Sequence, residues 1–177
     1  MMDFLELCRT RQSCRDFSDK PVEHEKLVNC IEAARLAPSG CNAQPWSFVV
    51  VESPEKMAEV IPHVAKPGMN EYFAKAKAFI VIIEEHATLM PGISPILDSQ
   101  HFAKGDLGTA ASYICLAATG QGLGSCVIGV YDREKLRPIL DIPLDKHFGW
   151  MIALGYPTSE EIRPKQRRSM ERIAKFV

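Results

Sequence analysis

The chain has 177 residues, 46% hydrophobic and 24% charged, the composition of a soluble globular protein rather than a disordered one. Its 21 basic and 22 acidic residues leave a net charge of −1, which excludes nucleic-acid binding driven by overall charge. The length suits one domain spanning residues 1–177, large enough to bury about 70% of its unfolded surface.

In chain order, "DFLELCRTR" (3–11) predicts a short first helix with Phe4, Leu5 and Cys8 at helical spacing. This N-terminus is acidic where a secretory signal would be basic, and no long apolar core follows, so a cytoplasmic protein is expected. Behind Asp19 and Pro21 a second helix is predicted near 23–37, with Leu27, Cys30, Ile31 and Ala34 as its apolar face and Pro38 ending it. "WSFVVVES" (46–53) reads as a buried strand, and a short helix follows from Pro54. "AFIVIIE" (78–84) is a second strand; its apolar run is far too short to cross a bilayer, so no membrane contact is expected. Residues 85–100 hold Pro91, Gly92 and Pro95 and read as a loop long enough to be a lid or a crossing segment.

"HFAKGDLGTAASYICLAATG" (101–120) predicts a helix apolar nearly all round, hence central and buried. "SCVIGVY" (125–131) is a third strand, "DREKLRPIL" (132–140) a helix capped by Asp132, and "HFGWMIALGYP" (147–157) a fourth strand. The tail, 158–177, is basic and polar, then weakly amphipathic. Alternating strands and helices predict a three-layer arrangement around a small central sheet.

Four stretches carry candidate chemistry. In "RTRQSCRDF" (9–17), Arg11, Ser13 and Arg15 are spaced by two. In extended chain they point one way, so two guanidinium forks and a hydroxyl can converge on a phosphate; the alternative is a solvated turn. Lys165 and Arg167 in "RPKQRRSMER" (163–172) repeat that spacing after a proline, as a second half of the clamp or as a solvated tail. In "APSGCNAQPWSFVVV" (37–51), Pro38, Ser39, Gly40 and Asn42 form either a polar turn or an edge that a flat heterocycle can approach. "GQGLGSCVIG" (120–129) fails the dinucleotide fingerprint, since residue 125 is serine and the run follows a helix. Its better use is a strand end at Ile128–Gly129 that offers backbone N–H groups.

Other chemistries find no support. The sequence lacks a Walker lysine-serine pair, H-E-x-x-H and G-x-S-x-G. The five histidines show no ligand spacing, and the six cysteines, at 8, 14, 30, 41, 115 and 126, form no C-x-x-C pair. No metal site is expected, and the thiols are expected to be reduced and mostly buried.

The R-x-S-x-R-x-F start, "APSGCNAQPW", "GLGSCVIG" and "ALGYP…RPKQRR", in that order, resemble the signatures of the FMN-dependent nitroreductase family, over about residues 5–170. The resemblance implies an α+β, three-layer α/β/α nitroreductase fold with a mixed, mainly antiparallel central sheet, in an intertwined homodimer with FMN bound at the subunit interface. Arg11, Ser13 and Arg15 would hold the phosphate, completed by Lys165 and Arg167. Pro38, Ser39, Gly40 and Asn42 of the other subunit would meet the isoalloxazine, and Ile128 and Gly129 would offer N–H groups to its reactive edge. Asn70 matches a family asparagine that contacts the ring, whereas a lysine common shortly after it is here Phe73.

The implied function is a cytoplasmic oxidoreductase passing electrons from NAD(P)H through FMN to nitroaromatic, quinone or related small acceptors in a ping-pong scheme, with no catalytic side chain assigned. Alternatives on the same scaffold are reductive dehalogenation, enoate reduction, flavin destruction or a ferredoxin donor. A non-catalytic flavin-binding redox sensor is the alternative of another class. Segments 62–73 and 85–100 are expected to line the substrate side.

Overall fold

The computed structural model describes residues 3–93 and 99–177 of the chain. Its first helix, α1 (Phe4–Thr10), buries none of its residues: Cys8 is half-buried, whereas Phe4 and Leu5 are exposed. Helix α2 (His24–Arg35) buries Leu27, Cys30 and Ala34 as the spacing predicts. Strand β1 (Trp46–Val51) leads into α3 (Pro54–Val64), which starts on a proline at its first turn and is capped by Ser53 Oγ accepting from Lys56 N. Strand β2 (Ala78–Glu84) is buried over six of its seven residues. Helix α4 (Ser99–Gly120) is followed by β3 (Gly124–Ile128), which ends before the predicted Tyr131. Helix α5 (Arg133–Ile139) is capped by Asp132 as expected, then β4 (His147–Gly155) completes the sheet and a single turn, α6 (Met170–Ile173), lies in the tail.

The four strands form one sheet in the order β1-β2-β4-β3 with three antiparallel ladders. A parallel component enters at an isolated bridge between Ser13 and Ser125, on the free side of β3. The sheet is thus mainly antiparallel and mixed at one edge, as expected. Alternation along β2 and β4 sends Phe79, Val81, Met151 and Ala153 to one face and Ile80, Ile82, Ile152 and Leu154 to the other. The first set packs with α3 and α5 residues such as Val60 and Leu136, the second with Leu27, Cys30, Leu107 and Ile114 of α2 and α4. This is the three-layer α/β/α arrangement.

The long helix departs from its prediction on one side. Ala103, Leu107, Ala110, Ile114 and Ala118 are buried, but Phe102 and Tyr113 are 36% and 38% exposed. An apolar surface all round had implied full burial; within one chain, one side of α4 remains uncovered. The last part of the predicted 85–100 loop starts α4 instead, and residues 94–98 of it, with Pro95, lie outside the described residues. Among the described residues no helix is long and apolar enough to cross a membrane.

Candidate functional site: a cation cradle at the edge of the sheet

The arginine-rich strand is held in place by two glycines. Cys14 N donates to Ser125 O at 2.9 Å, which lays residues 13 and 14 along the free edge of β3. Gly124 and Gly155 are paired in the β3–β4 ladder. A Cβ on Gly124 would stand 2.7 Å from Cys14 Cβ and Sγ, and one on Gly155 would stand 2.7 Å from Phe17 Cδ1. Bare backbone at both positions is therefore the seat on which Cys14 and Phe17 rest. Phe17, 1% exposed, anchors the segment by burying an aromatic side chain, worth about 2–3 kcal/mol.

The basic tail runs back along this strand. Lys165 Nζ donates to Arg11 O, and Arg163 Nη2 donates to Ser13 O at 2.5 Å. The contacts share one antiparallel register, 163 opposite 13 and 165 opposite 11. Lys165 is thereby brought to Arg11 and Arg163 to Ser13, with the charges of Arg11 and Arg167 both acting on Lys165. Burial first, then the charges of Arg11, Arg167 and Arg163, push the Lys165 ammonium below the ordinary lysine value of 10.5. Arg15 is exposed and lies 5.8 Å from the centre of the Tyr72 ring.

Among the described residues no carboxylate lies within ion-pair distance of Arg11, Arg15, Arg163, Lys165 or Arg167. A cluster of cations with no acid in ion-pair reach is a surface whose charge an anion can neutralise. A dianionic phosphate fits this donor set, since forked guanidinium groups and an ammonium supply charge-assisted bonds to its oxygens. Beside the cradle a cleft of about 440 Å³ is walled by Cys8, Arg11, Ala111, Cys115, Val127 and Trp150.

Burial holds the thiols below the cradle in their protonated form. Burial raises the pKa of Cys14, Cys115 and Cys126, and lifts that of Cys30 to about 12. At Cys126 the Arg15 charge, the Ser13 hydroxyl and the charges of Arg11 and Arg163 oppose the rise without cancelling it. All six cysteines are free, and Cys41 is exposed.

The predicted 38–42 turn lies elsewhere. Cys41, Asn42 and Gln44 all adopt left-handed backbone, at φ 52°, 54° and 47°. Each such non-glycine residue costs of order 1–3 kcal/mol and persists only where its surroundings hold it. Here Gly40 N donates to Asp106 Oδ2 at 3.0 Å, and Gln44 N to Ser39 Oγ at 2.9 Å. Asp106 sits nine residues before Cys115 on α4, about 14 Å along the axis. Within one chain, the turn of Ser39, Gly40 and Asn42 is thus tied to α4 at Asp106, while the cleft beside Arg11 runs along α4 from Gly108 to Leu116.

Strand β3 ends at Ile128, Gly129 follows it, and Asn70 is tied to the next residue, Val130. Asn70 is itself left-handed at φ 61°; its Nδ2 donates to Val130 O at 2.8 Å and its Oδ1 accepts from Tyr72 Oη at 3.2 Å. The asparagine therefore fastens the 66–75 loop to the strand end. Sequence reasoning missed Asp106, Gln12 and Arg163. Asp106 is the one acid in an otherwise apolar helix, a signal that was available. Arg163 extends the two-residue alternation of Lys165 and Arg167, whereas nothing marked Gln12.

Comparison with known proteins gives one consistent result. A profile of the nitroreductase family matches residues 8–156. The chain is 33% identical over 168 residues to an Archaeoglobus fulgidus protein provisionally named an NADH dehydrogenase/NAD(P)H nitroreductase, covering 91% of this chain and 89% of that one. It superposes on a nitroreductase family protein of Streptococcus pneumoniae with TM-score 0.84 and 26% identity, covering 99% of this chain and all of that one. A provisionally named nitroreductase of Exiguobacterium sibiricum, solved in complex with FMN, shares the fold at TM-score 0.85 and 21% identity, covering 100% of this chain and 98% of that one.

Proposed function

From the premise that the chain belongs to the nitroreductase family and is therefore a flavin oxidoreductase, we propose that it passes electrons from NAD(P)H through bound FMN to a small acceptor such as a nitroaromatic or quinone, in two alternating half-reactions. The observation that carries this reading is the cradle of cations without a counter-charge. Arg11, Ser13, Arg15, Lys165 and Arg167 would hold the phosphate, which explains why Lys165 is kept among three guanidinium groups. Asn70 fixes Val130 and so sets the strand end at Ile128 and Gly129, whose N–H groups would face the edge of the ring.

Pro38, Ser39, Gly40 and Asn42 would serve the site of a second copy, since in their own chain the turn is fastened to α4 at Asp106 and not to the arginine strand. A homodimer has the surface it needs. Phe4 and Leu5 of α1 are 64% and 58% exposed, and the side of α4 bearing Phe102 and Tyr113 is uncovered. When bound, FMN supplies the hydride chemistry, which the protein serves by binding, orientation and charge. The cations and the strand-end N–H groups would favour an anionic ring, and no side chain is given a proton-transfer role.

Anaerobic addition of NADH or NADPH to the purified flavoprotein tests this directly. Bleaching of the flavin by at least one nicotinamide, with colour restored by a nitroaromatic or a quinone, is the expected result. A flavin reduced by ferredoxin but by neither nicotinamide would contradict the assigned donor.

A further inference from the structure

The basic tail has few ties to the body of the protein, and they converge on three residues. Among the described residues, every hydrogen bond from residues 161–177 to the rest of the chain runs to Arg11, Gln12 or Ser13. Packing adds little, because nearly all of these tail residues are exposed and α6 buries none of its own. Gln12 and Arg163 make four of the five bonds. Gln12 Oε1 accepts from Arg163 N at 3.2 Å and from Arg163 Nε at 3.1 Å, while Gln12 Nε2 donates to Glu161 O at 2.8 Å. Arg163 Nη2 then reaches Ser13 O, so one guanidinium spans two successive residues of the strand.

The chemistry of this pair is matched to its surroundings. The tail brings Arg163, Lys165 and Arg167 up to Arg11, against their mutual repulsion. Something must hold them there, and a carboxylate would do so only by cancelling charge that a bound anion needs. A glutamine amide holds the tail by hydrogen bonds while leaving every cation unneutralised.

We propose that Gln12 and Arg163 form a latch that seats Lys165 and Arg167 against the Arg11–Arg15 strand, making both of them positioning residues for the phosphate end of the cofactor. The proposal rests on the reading that the cradle holds a phosphate-bearing flavin. Opening the latch releases the tail cations, so affinity is lost for the phosphate and not for the ring.

Riboflavin, which has the ring without the phosphate, separates the two. FMN and riboflavin are titrated into the full-length protein after its flavin is removed, in wild type and in Arg163→Ala, Gln12→Ala, the double variant and Arg163→Lys. Arg163→Ala is expected to weaken FMN about tenfold or more, the loss of charge-assisted bonds worth about 1.4 kcal/mol, with riboflavin within about twofold of wild type. Gln12→Ala should act in the same direction, and the double variant should be no more than about threefold weaker than Arg163→Ala, because the two residues act as one unit. Lysine keeps the charge but not the fork, so Arg163→Lys should recover little. An unchanged FMN-to-riboflavin ratio in Arg163→Ala, equal loss of both flavins, additive single effects or full rescue by lysine would each overturn the latch. A wild type that binds riboflavin as tightly as FMN would instead overturn the phosphate reading on which the latch depends.

Discussion

The charges of Arg11, Arg163 and Arg167 all act against the Lys165 ammonium, so the charges of the proposed phosphate ligands should be readable in binding. Arg15, exposed and free of any carboxylate, offers one fork. Arg15→Ala should weaken FMN by roughly ten- to a hundredfold, about 1.5–3 kcal/mol for a charge-assisted bond, with riboflavin little changed. Fluorescence titration checks this, and equal FMN affinity in the variant would remove Arg15 from the cradle. Lys165 adds a pH dependence with a definite sign. Its pKa lies below the ordinary lysine value, chiefly through burial, so it sheds its proton at a lower pH than a free lysine side chain would. FMN affinity should be flat above the phosphate's second ionisation, about pH 6, and fall through the Lys165 titration. Lys165→Arg should abolish that alkaline fall; a fall of the same size in the variant would assign it to another group. The alternation of Arg11, Ser13 and Arg15, and of Lys165 and Arg167, allowed a clamp or a solvated turn and tail, and the family resemblance favoured the clamp. It could not expose Gln12, because a glutamine at a strand's edge has no pattern until the tail that it binds is in place.

Elements rather than single residues decide where the cradle sits. The Gly124–Gly155 pair admits Cys14 and Phe17 onto the sheet, so added bulk there should disturb the arginine strand without touching an arginine. Gly124→Ala is expected to cost about 1–3 kcal/mol by overpacking against Cys14, read as a lower Tm, and to weaken FMN as well. An unchanged Tm would mean that the strand is not seated as described. At the 38–44 turn the effect should have the opposite sign. Cys41→Gly removes a side chain from left-handed backbone and should raise Tm by a few degrees, about 1 kcal/mol for a chain of this size. A lowered Tm would show that Cys41 contributes contacts outweighing its backbone strain. The elements themselves were largely legible, since periodicity placed α2 and β2 and the Asp132 cap placed α5. The glycines of 120–129 were legible as a failed dinucleotide motif and a strand end at Gly129, but not as a seat for another strand. Their use at Gly124 depends on Cys14, which is over a hundred residues away in sequence.

For the molecule as a whole, the three layers followed from alternating strands and helices, while the exposed side of α4 did not. Periodicity reports that a face is apolar, and an all-round apolar helix reads as buried whether its cover comes from its own chain or from a second copy. Phe4, Leu5, Phe102 and Tyr113 are the residues left exposed by that ambiguity. Light scattering of the purified protein should give twice the chain mass of 19.7 kDa, and a flavin-loaded monomer would contradict a site shared between copies. The central claim, that the cation cradle holds the phosphate of a flavin, is tested most directly by denaturing the purified protein and weighing what it releases. A yellow protein that yields FMN at close to one per chain is expected; a colourless protein that takes up no FMN when it is supplied would rule out a flavin phosphate in the cradle.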